Sequence, residues 1–136
     1  MIVVDTSVLI KFVVPEPRAD LAYRLRGEVL AAPAIWQAEA GNVLWRKVRI
    51  GELTETQAAT RLEELLGGAI ETLSADDGIE NAFQLSLSMR HPIYDCLFLQ
   101  AAIDHDTYVV TDDGRFAKAA RRHGKYAPRI RLLTDI

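Results

Sequence analysis

The sequence predicts an α/β fold in which a twisted parallel sheet of about four to five strands lies between layers of helices. Two observations support this. Short apolar runs rich in β-branched residues alternate along the chain with helical periodicities, and two of these runs end directly in acidic residues. Such alternation is typical of parallel sheets whose crossover helices cover both faces. With 136 residues and no linker or low-complexity segment, one domain spanning residues 1–136 is expected.

The first elements follow directly from the N-terminus. The run Ile2-Val3-Val4 predicts a short buried strand that delivers Asp5 at its carboxyl end. A helix should follow, with Thr6 or Ser7 as its N-terminal cap. Prolines then interrupt the helical pattern, and a second helix is expected from about residue 18 to residue 26.

A long helix is the best-signalled element of the chain. It follows a candidate strand at residues 29–32 and runs from residue 33 to about residue 50, with the leading proline in its first turn. Glu39, Asn42 and Arg46 recur at helical spacing along one stripe, beside an apolar stripe. Glu39 and Asn42 are therefore expected to point the same way.

The second half of the chain continues the alternation of strands and helices. Thr54 with Gln57 has the spacing of a capping box, and Ser74 with Asp77 resembles another, so a helix is expected after each. The complete set expected here is a helix from Thr54 to about Leu66, a strand at 69–73, a helix towards Arg90, a helix at 94–106, a strand at 108–111, a helix at 115–123 and a strand at 130–133.

Acidic residues stand at four places that this layout brings to one edge of the sheet. Asp5 and the pair Asp112-Asp113 would emerge at the carboxyl ends of strands, where open parallel sheets form their sites. Asp95 lies in the first turn of one predicted helix and Glu39 midway along another. Each acid alone also fits a cap, a turn or a solvated position. Jointly they predict a carboxylate cluster, which would repel itself unless a cation lay within it.

The other donors near these acids also carry oxygen. Asn42 shares the stripe of Glu39, and the hydroxyl groups of Thr6, Ser7 and Thr111 flank the two aspartate stations. An all-oxygen site suits Mg²⁺ or Mn²⁺ rather than zinc. Zinc-binding residue types are isolated along the chain, at His91, Cys96, His105 and His123.

Other catalytic motifs are absent from the sequence. It contains no phosphate-binding P-loop, no dinucleotide-binding glycine motif and no nucleophile elbow. Metal-assisted hydrolysis remains, in which one or two divalent cations would activate a water molecule for attack on a phosphodiester. A phosphatase of the haloacid dehalogenase type would need a second aspartate two residues after the first, and Ser7 stands there.

Charge is unevenly distributed along the chain. The net charge of −3 argues against nucleic-acid binding through bulk positive charge, yet residues 114–134 contain seven basic residues and no acid. A solvated helix face with a tail would also explain this basic zone. A single cysteine, no signal sequence and no 18-residue apolar stretch lead us to expect a cytoplasmic protein without a membrane segment.

Four segments together resemble the PIN-domain ribonucleases, specifically the VapC toxins of toxin–antitoxin modules. They are residues 2–10, Glu39 with residues 42–44, residues 94–102, and residues 111–116, which have the form T-x-D-x-x-F. The resemblance covers nearly the whole chain, and its first and last motifs are the most specific.

The resemblance implies a three-layer α/β/α PIN-like domain and assigns roles to residues. Asp5, Glu39 and Asp95 would be the principal acids, and Asp113 the fourth, with Asp112 at a variable position of the motif. Thr6 and Thr111 would support the site by hydrogen bonding. It further implies Mg²⁺ or Mn²⁺ as cofactor, a homodimer, and a VapB-type antitoxin whose C-terminal segment covers the active-site groove.

The expected function is therefore a Mg²⁺- or Mn²⁺-dependent endoribonuclease that acts as a toxin and hydrolyses RNA with a metal-activated water. Asp5, Glu39, Asp95 and Asp113 would bind the metal. Their supporting residues would be Thr6, Asn42, Thr111 and Asp112, while Arg115 and Lys118 would contact RNA phosphate. Two alternatives stay open: a PIN-type nuclease of RNA processing without a toxin role, and a catalytically inactive PIN-like module that binds RNA or protein.

Overall fold

The computed structural model describes residues 1–74 and 78–136. Its centre is a five-stranded sheet in the order β3-β2-β1-β4-β5, and every neighbouring pair of strands is parallel. The strands are β1 (Ile2–Val4), β2 (Leu30–Pro33), β3 (Ile70–Leu73), β4 (Val109–Thr111) and β5 (Ile130–Leu132). The predicted α/β fold with a parallel sheet is confirmed.

Helices follow the strands and flank the sheet. Those in the described ranges are α1 (Thr6–Leu9), α2 (Ala19–Ala22), α3 (Ile35–Arg49), α4 (Glu55–Leu66), α5 (Gly78–Met89), α6 (Ile93–Asp104) and α7 (Gly114–Arg122). Short 3-10 segments occur at Ile10–Phe12, Tyr23–Leu25, Ala127–Arg129 and Leu133–Asp135. None of the helices in residues 1–74 and 78–136 has both the length and the apolar character needed to cross a bilayer.

The order of the strands creates a crevice at the centre of the sheet. From β1 the chain builds outwards through β2 and β3, and then returns to place β4 on the other side of β1. The register pairs Val3 with Val109 and Val4 with Val110. The residues that follow these two strands therefore leave the sheet side by side, at the point where open parallel sheets form their sites.

The core explains why α6 is apolar on nearly every side. This helix packs against β1, β2 and β4 on one side and against α5 on the other. Its buried residues include Phe98 and Leu99, which are fully inaccessible, as are Val3 and Val4 of the strand beneath. Burial of this kind stabilises by about 25 cal/mol per Å² of apolar surface, and this packing places the first turn of α6, with Asp95, at the crevice.

Two expectations about helix starts are wrong in detail. Pro33 is the last residue of β2 rather than the first turn of the long helix, because it pairs with Leu73 of β3 and the helix begins at Ile35. The helix predicted for residues 18–26 is α2 followed by a 3-10 turn, since Arg18 adopts a left-handed conformation with φ of 67° that bars a helical start there.

Helix caps give a mixed result. The Thr54–Gln57 capping box is present with both of its hydrogen bonds and begins α4 as predicted. The expectation that Thr6 or Ser7 caps the helix after β1 is wrong, because Asp5 is the N-cap residue of α1 and no side chain caps this helix. The proposed box of Ser74 with Asp77 lies partly outside the described residues.

Candidate active site

Asp5 stands at the carboxyl end of β1 and is buried. Its backbone N–H donates to the carbonyl of Val110, 2.9 Å away, which continues the β1–β4 ladder. Its Oδ2 accepts hydrogen bonds from Thr111 Oγ1 at 2.5 Å and from Ser7 Oγ at 3.0 Å. Two hydroxyl groups from different elements thus hold one carboxylate in a fixed orientation, with only 5% of Asp5 exposed.

The end of β4 presents Asp113 through the same hydroxyl network. Thr111 Oγ1 accepts a hydrogen bond from the backbone N–H of Asp113 at 3.0 Å. Asp113 caps α7, because its Oδ1 accepts from the N–H groups of Arg115 at 2.8 Å and Phe116 at 3.3 Å. Capping occupies Oδ1, and no hydrogen bond within the described chain uses Oδ2.

Glu39 reaches the same place from the middle of α3. Its Oε1 accepts a hydrogen bond from Thr6 Oγ1 at 2.9 Å, so the first residue of α1 positions it. Thr6 thus contacts Glu39 rather than capping its own helix. Asn42, one turn further along α3, also lines the crevice and is exposed.

Asp95 lies in the first turn of α6 and has a partner that sequence reasoning missed. His91 Nε2 lies 2.6 Å from Asp95 Oδ2, and the His91 ring stacks on Phe116 at 5.6 Å between centroids. The description of His91 as isolated is wrong. Little in the sequence indicated this contact, because His91 lies before the start of α6 and helical spacing therefore does not relate it to Asp95.

These four acids line one cavity of about 480 Å³. The residues that line it with them are Thr6, Ser7, Ile35, Ala38, Asn42, Val43, Arg46 and Tyr94. The structure thus brings together all four acids predicted from separate segments. It does not bring Arg115 or Lys118 into the lining, and both are exposed on α7.

Burial and mutual repulsion shift the pKa values of three of these carboxyl groups upwards. Burial is the largest cause for Asp5, whose pKa rises from 3.8 to about 7, and the charges of Asp95 and Glu39 raise it further against the hydrogen bonds from Thr111 and Ser7. Burial also raises the pKa of Glu39 and of Asp95, and Asp95 adds to the shift of Glu39. His91 acts against burial at Asp95 by lowering its pKa, yet the pKa of all three carboxyl groups stays raised.

Comparison with known proteins agrees with this geometry. The family model of the PIN domain matches residues 2–122 of the chain. The chain belongs to the PIN-domain family. Ribonuclease VapC3 of Pyrobaculum aerophilum is 30% identical over an alignment of 121 residues, and the match covers 86% of this chain and 92% of that protein.

Two solved structures share the fold of this PIN domain. The crystal structure of PAE2754 from Pyrobaculum aerophilum matches with a TM-score of 0.73 and 21% identity, over 97% of this chain and 83% of its own. A toxin–antitoxin complex from Klebsiella pneumoniae matches with a TM-score of 0.69 and 17% identity, over 100% of both chains. The PIN-like fold class predicted from sequence is therefore confirmed.

The donor atoms of this PIN domain fit a hard divalent cation. Four carboxylates, the amide of Asn42 and nearby hydroxyl groups offer oxygen only, which is the ligand type that Mg²⁺ and Mn²⁺ prefer. Burial, the largest cause of the raised pKa values of Asp5, Glu39 and Asp95, disfavours their ionised forms, and a bound cation would stabilise those forms. Within residues 1–74 and 78–136, no three His, Cys, Asp or Glu side chains are drawn close enough together to hold a metal as they stand.

Asp112 is directed to a different set of partners from Asp113. Arg18 donates two hydrogen bonds to it, from Nε to Oδ1 at 2.6 Å and from Nη2 to Oδ2 at 2.8 Å, and Lys11 Nζ lies 3.0 Å from Oδ2. These cations, chiefly Arg18, outweigh partial burial and lower the pKa of Asp112. Asp113 lines the cavity and Asp112 does not.

The sequence did not predict the network of ion pairs around Asp112. Lys11 is buried and joins Asp112 to Glu16, and Lys47 of α3 lies 2.8 Å from the other carboxylate oxygen of Glu16. The network joins residues 11–18 to Lys47 and Asp112, which lie far away in the chain, so no sequence spacing predicts it. The network links the segment before α2, the C-terminal half of α3 and the start of α7.

Proposed function

We propose that this PIN domain is a Mg²⁺- or Mn²⁺-dependent endoribonuclease of the cytoplasm that hydrolyses RNA phosphodiesters. The observation that carries the proposal is the cavity in which Asp5, Glu39, Asp95 and Asp113 converge from four separate elements. Acids that are buried close together, so that the pKa of Asp5 rises to about 7, are typical of a functional site rather than of a structural one.

We further propose that the enzyme is the toxin of a toxin–antitoxin pair. The relative from Pyrobaculum aerophilum is named Ribonuclease VapC3, and the solved Klebsiella structure is a toxin–antitoxin complex. These names support an RNA substrate and an antitoxin partner for this chain as well, and the resemblance to VapC toxins implies that the antitoxin is of the VapB type.

We also propose a homodimer, from the apolar face of α5. Exposed apolar side chains of α5, namely Ile79, Phe83 and Leu87, recur every four residues and give this helix an apolar surface of the kind that protein contacts use.

The protein's own residues would act by holding and orienting the reacting groups. A bound divalent cation would supply activation of water and neutralisation of charge on the leaving oxygen. The four acids would hold it, while Thr111 and Ser7 fix the carboxylate of Asp5, Thr6 fixes that of Glu39 and His91 that of Asp95. Preorganised side chains of this kind lower the barrier because they need no reorganisation during the reaction.

Cleavage of RNA by the purified protein tests the proposal. We expect total RNA to be cut at defined sites in Mg²⁺ and left intact in a chelator. The variant Asp95→Asn should lose more than the roughly 10- to 100-fold that outer-shell substitutions typically cost. The matched control Asp20→Asn removes the same charge from an exposed position of α2 outside the cavity and should cleave as the wild type does.

Other outcomes of this experiment would point elsewhere. Full activity of Asp95→Asn, or equal cleavage in the chelator, would contradict the proposed mechanism. RNA binding without any cleavage would favour the inactive module. If cleavage occurs but expression in cells causes no growth arrest that a cognate antitoxin relieves, the toxin role is wrong and the nuclease remains.

Arg115 and Lys118 are proposed to contact RNA phosphate next to Asp113. Both are exposed in the first turns of α7, and neither has a carboxylate partner within the described chain. Changing both to Gln should weaken RNA binding and reduce the slope of log affinity against log salt by about 0.7 for each lost contact with a single strand. Fluorescence anisotropy at several salt concentrations measures this, and an unchanged slope would exclude the role.

A further inference from the structure

Two side chains at the cavity differ in chemistry from the acids, hydroxyls and aliphatic groups around them. Within the chain that the structure describes, Arg46 is the only basic residue that lines the carboxylate cavity, and Tyr94 is the only aromatic one. Neither belongs to the predicted metal set. Their presence beside four carboxylates requires its own explanation.

Arg46 carries a charge that the surrounding protein does not neutralise. It is exposed, and in residues 1–74 and 78–136 it makes no ion pair or side-chain hydrogen bond. Its neighbour Lys47, by contrast, lies 2.8 Å from Glu16 and 3.1 Å from Glu52. The fold thus pairs one basic residue of this turn with acids and leaves the other facing the cavity. A free cation beside an anionic cavity suits an anionic ligand that must enter there.

The position of Arg46 along α3 indicates which part of such a ligand it would meet. Arg46 follows Glu39 by seven residues on the same stripe, which is two helical turns or about 10 Å along the axis. It also lines an adjoining cavity of about 420 Å³ with Arg49, where the two acids, Glu16 and Glu52, are already paired with Lys47. An RNA backbone that passes out of the cavity along α3 would therefore meet Arg46 at a phosphate next to the cleaved bond, rather than at the cleaved bond itself.

Tyr94 occupies the rim next to Asp95. It is 57% exposed, although most residues of α6 from Cys96 onwards are buried. Its ring contacts no other aromatic ring and no cation within the described chain. A single exposed aromatic side chain is ordinary on a protein surface. This one lines the cavity beside a candidate catalytic acid, where its free face can stack on an unpaired base.

We propose that Arg46 and Tyr94 hold the RNA strand that flanks the cleaved bond, with Arg46 contacting the neighbouring phosphate and Tyr94 stacking on a base. This inference rests on the proposed ribonuclease function. Arg46 offsets the repulsion between the RNA backbone and the four carboxylates, and the aromatic face adds binding that does not depend on charge. Both residues act in positioning the substrate, so their loss should raise KM far more than it lowers kcat.

The test measures binding and cleavage separately for matched variants. The binding probe is a fluorescein-labelled, unstructured 15-nucleotide RNA in chelator, titrated from about 50 to 200 mM salt. Arg46→Gln should weaken binding about tenfold and reduce the salt slope by about 0.7. Tyr94→Ala should weaken it about tenfold with no change in slope, while Tyr94→Phe keeps the stacking face and should bind as the wild type does.

Arg26→Gln is the matched charge control. Arg26 lies with Leu30 and Ile70 at the opposite edge of the sheet, where the strands begin. If the wild type binds and cleaves RNA but Arg46→Gln and Tyr94→Ala both behave like Arg26→Gln, this inference is overturned and the ribonuclease function stands. If the wild type neither binds nor cleaves RNA, both fail. A loss of kcat at unchanged KM would also overturn the positioning role.

Discussion

Asp5→Asn is expected to stabilise the metal-free protein at pH 8 while abolishing RNA cleavage. The carboxylate of Asp5 is buried with two other acids nearby, and its pKa rises from 3.8 to about 7. Each unit of pKa corresponds to about 1.4 kcal/mol, so the ionised group costs at most about 4 kcal/mol at pH 8. After some loss of hydrogen bonding from Thr111 and Ser7, we expect a net gain of about 2–3 kcal/mol.

The sign of the pH dependence follows from proton binding. Between pH 3.8 and about 7 the folded protein holds a proton on Asp5 that the unfolded chain has released. The free energy of unfolding therefore falls as the pH rises through this range, by about 2 kcal/mol between about pH 5.5 and pH 8. The raised pKa values of Glu39 and Asp95 act in the same direction.

Urea denaturation in chelator at several pH values measures this effect, and Asp112→Asn provides the contrast. Arg18 and Lys11 lower the pKa of Asp112, so its removal should destabilise the protein at neutral pH. In the wild type, Mg²⁺ should restore stability at pH 8, by about 2.7 kcal/mol at one hundred times its dissociation constant. A flat pH profile, or an equal gain from Mg²⁺ in Asp5→Asn, would contradict a cation-binding carboxylate cluster.

Lys11→Met is expected to destabilise the fold by about 3 kcal/mol. Only 4% of the Lys11 side chain is exposed, and its Nζ lies 3.1 Å from Glu16 and 3.0 Å from Asp112. Removal of one partner from a buried ion pair leaves uncompensated charge, which typically costs about 3–5 kcal/mol. The lower end applies here because Lys47 and Arg18 still contact the two acids.

The denaturant midpoint of Lys11→Met measures this loss. Lys118→Met, on the exposed face of α7, is the matched control and should change stability by less than about 0.5 kcal/mol. The double variant with Asp112→Asn should lose less than the sum of the two single variants, because the two residues contact each other. Strict additivity, or a loss as small as that of the control, would show that the buried pair contributes no stability.

The sequence alone determined the strands and the edge at which the site forms. Short apolar runs such as Ile2–Val4 specify buried strands because their composition and length allow little else. Acids placed just after them, such as Asp5 and the pair Asp112-Asp113, must then emerge at the carboxyl edge. Helical periodicity likewise fixed the shared face of Glu39 and Asn42. Each of these inferences depends on residues that are close in sequence.

Contacts between distant segments of the chain were decided only by the tertiary structure. It separated Asp113 from Asp112, because Arg18 and Lys11 reach Asp112 from the other end of the chain. It paired His91 with Asp95 across the start of a helix. It placed Pro33 in a strand, where pairing with β3 overrides the local preference of proline for a first helical turn.

The cause of this division is physical. Propensity and periodicity act over a few residues, so the sequence reveals them directly. Ion pairing, burial and pKa shifts depend on distances between side chains that only packing sets, as with Lys11 and Asp112, which are a hundred residues apart in sequence and 3.0 Å apart in space. The sequence therefore indicated which acids meet, and the tertiary structure decided which of them remain unpaired at the cavity.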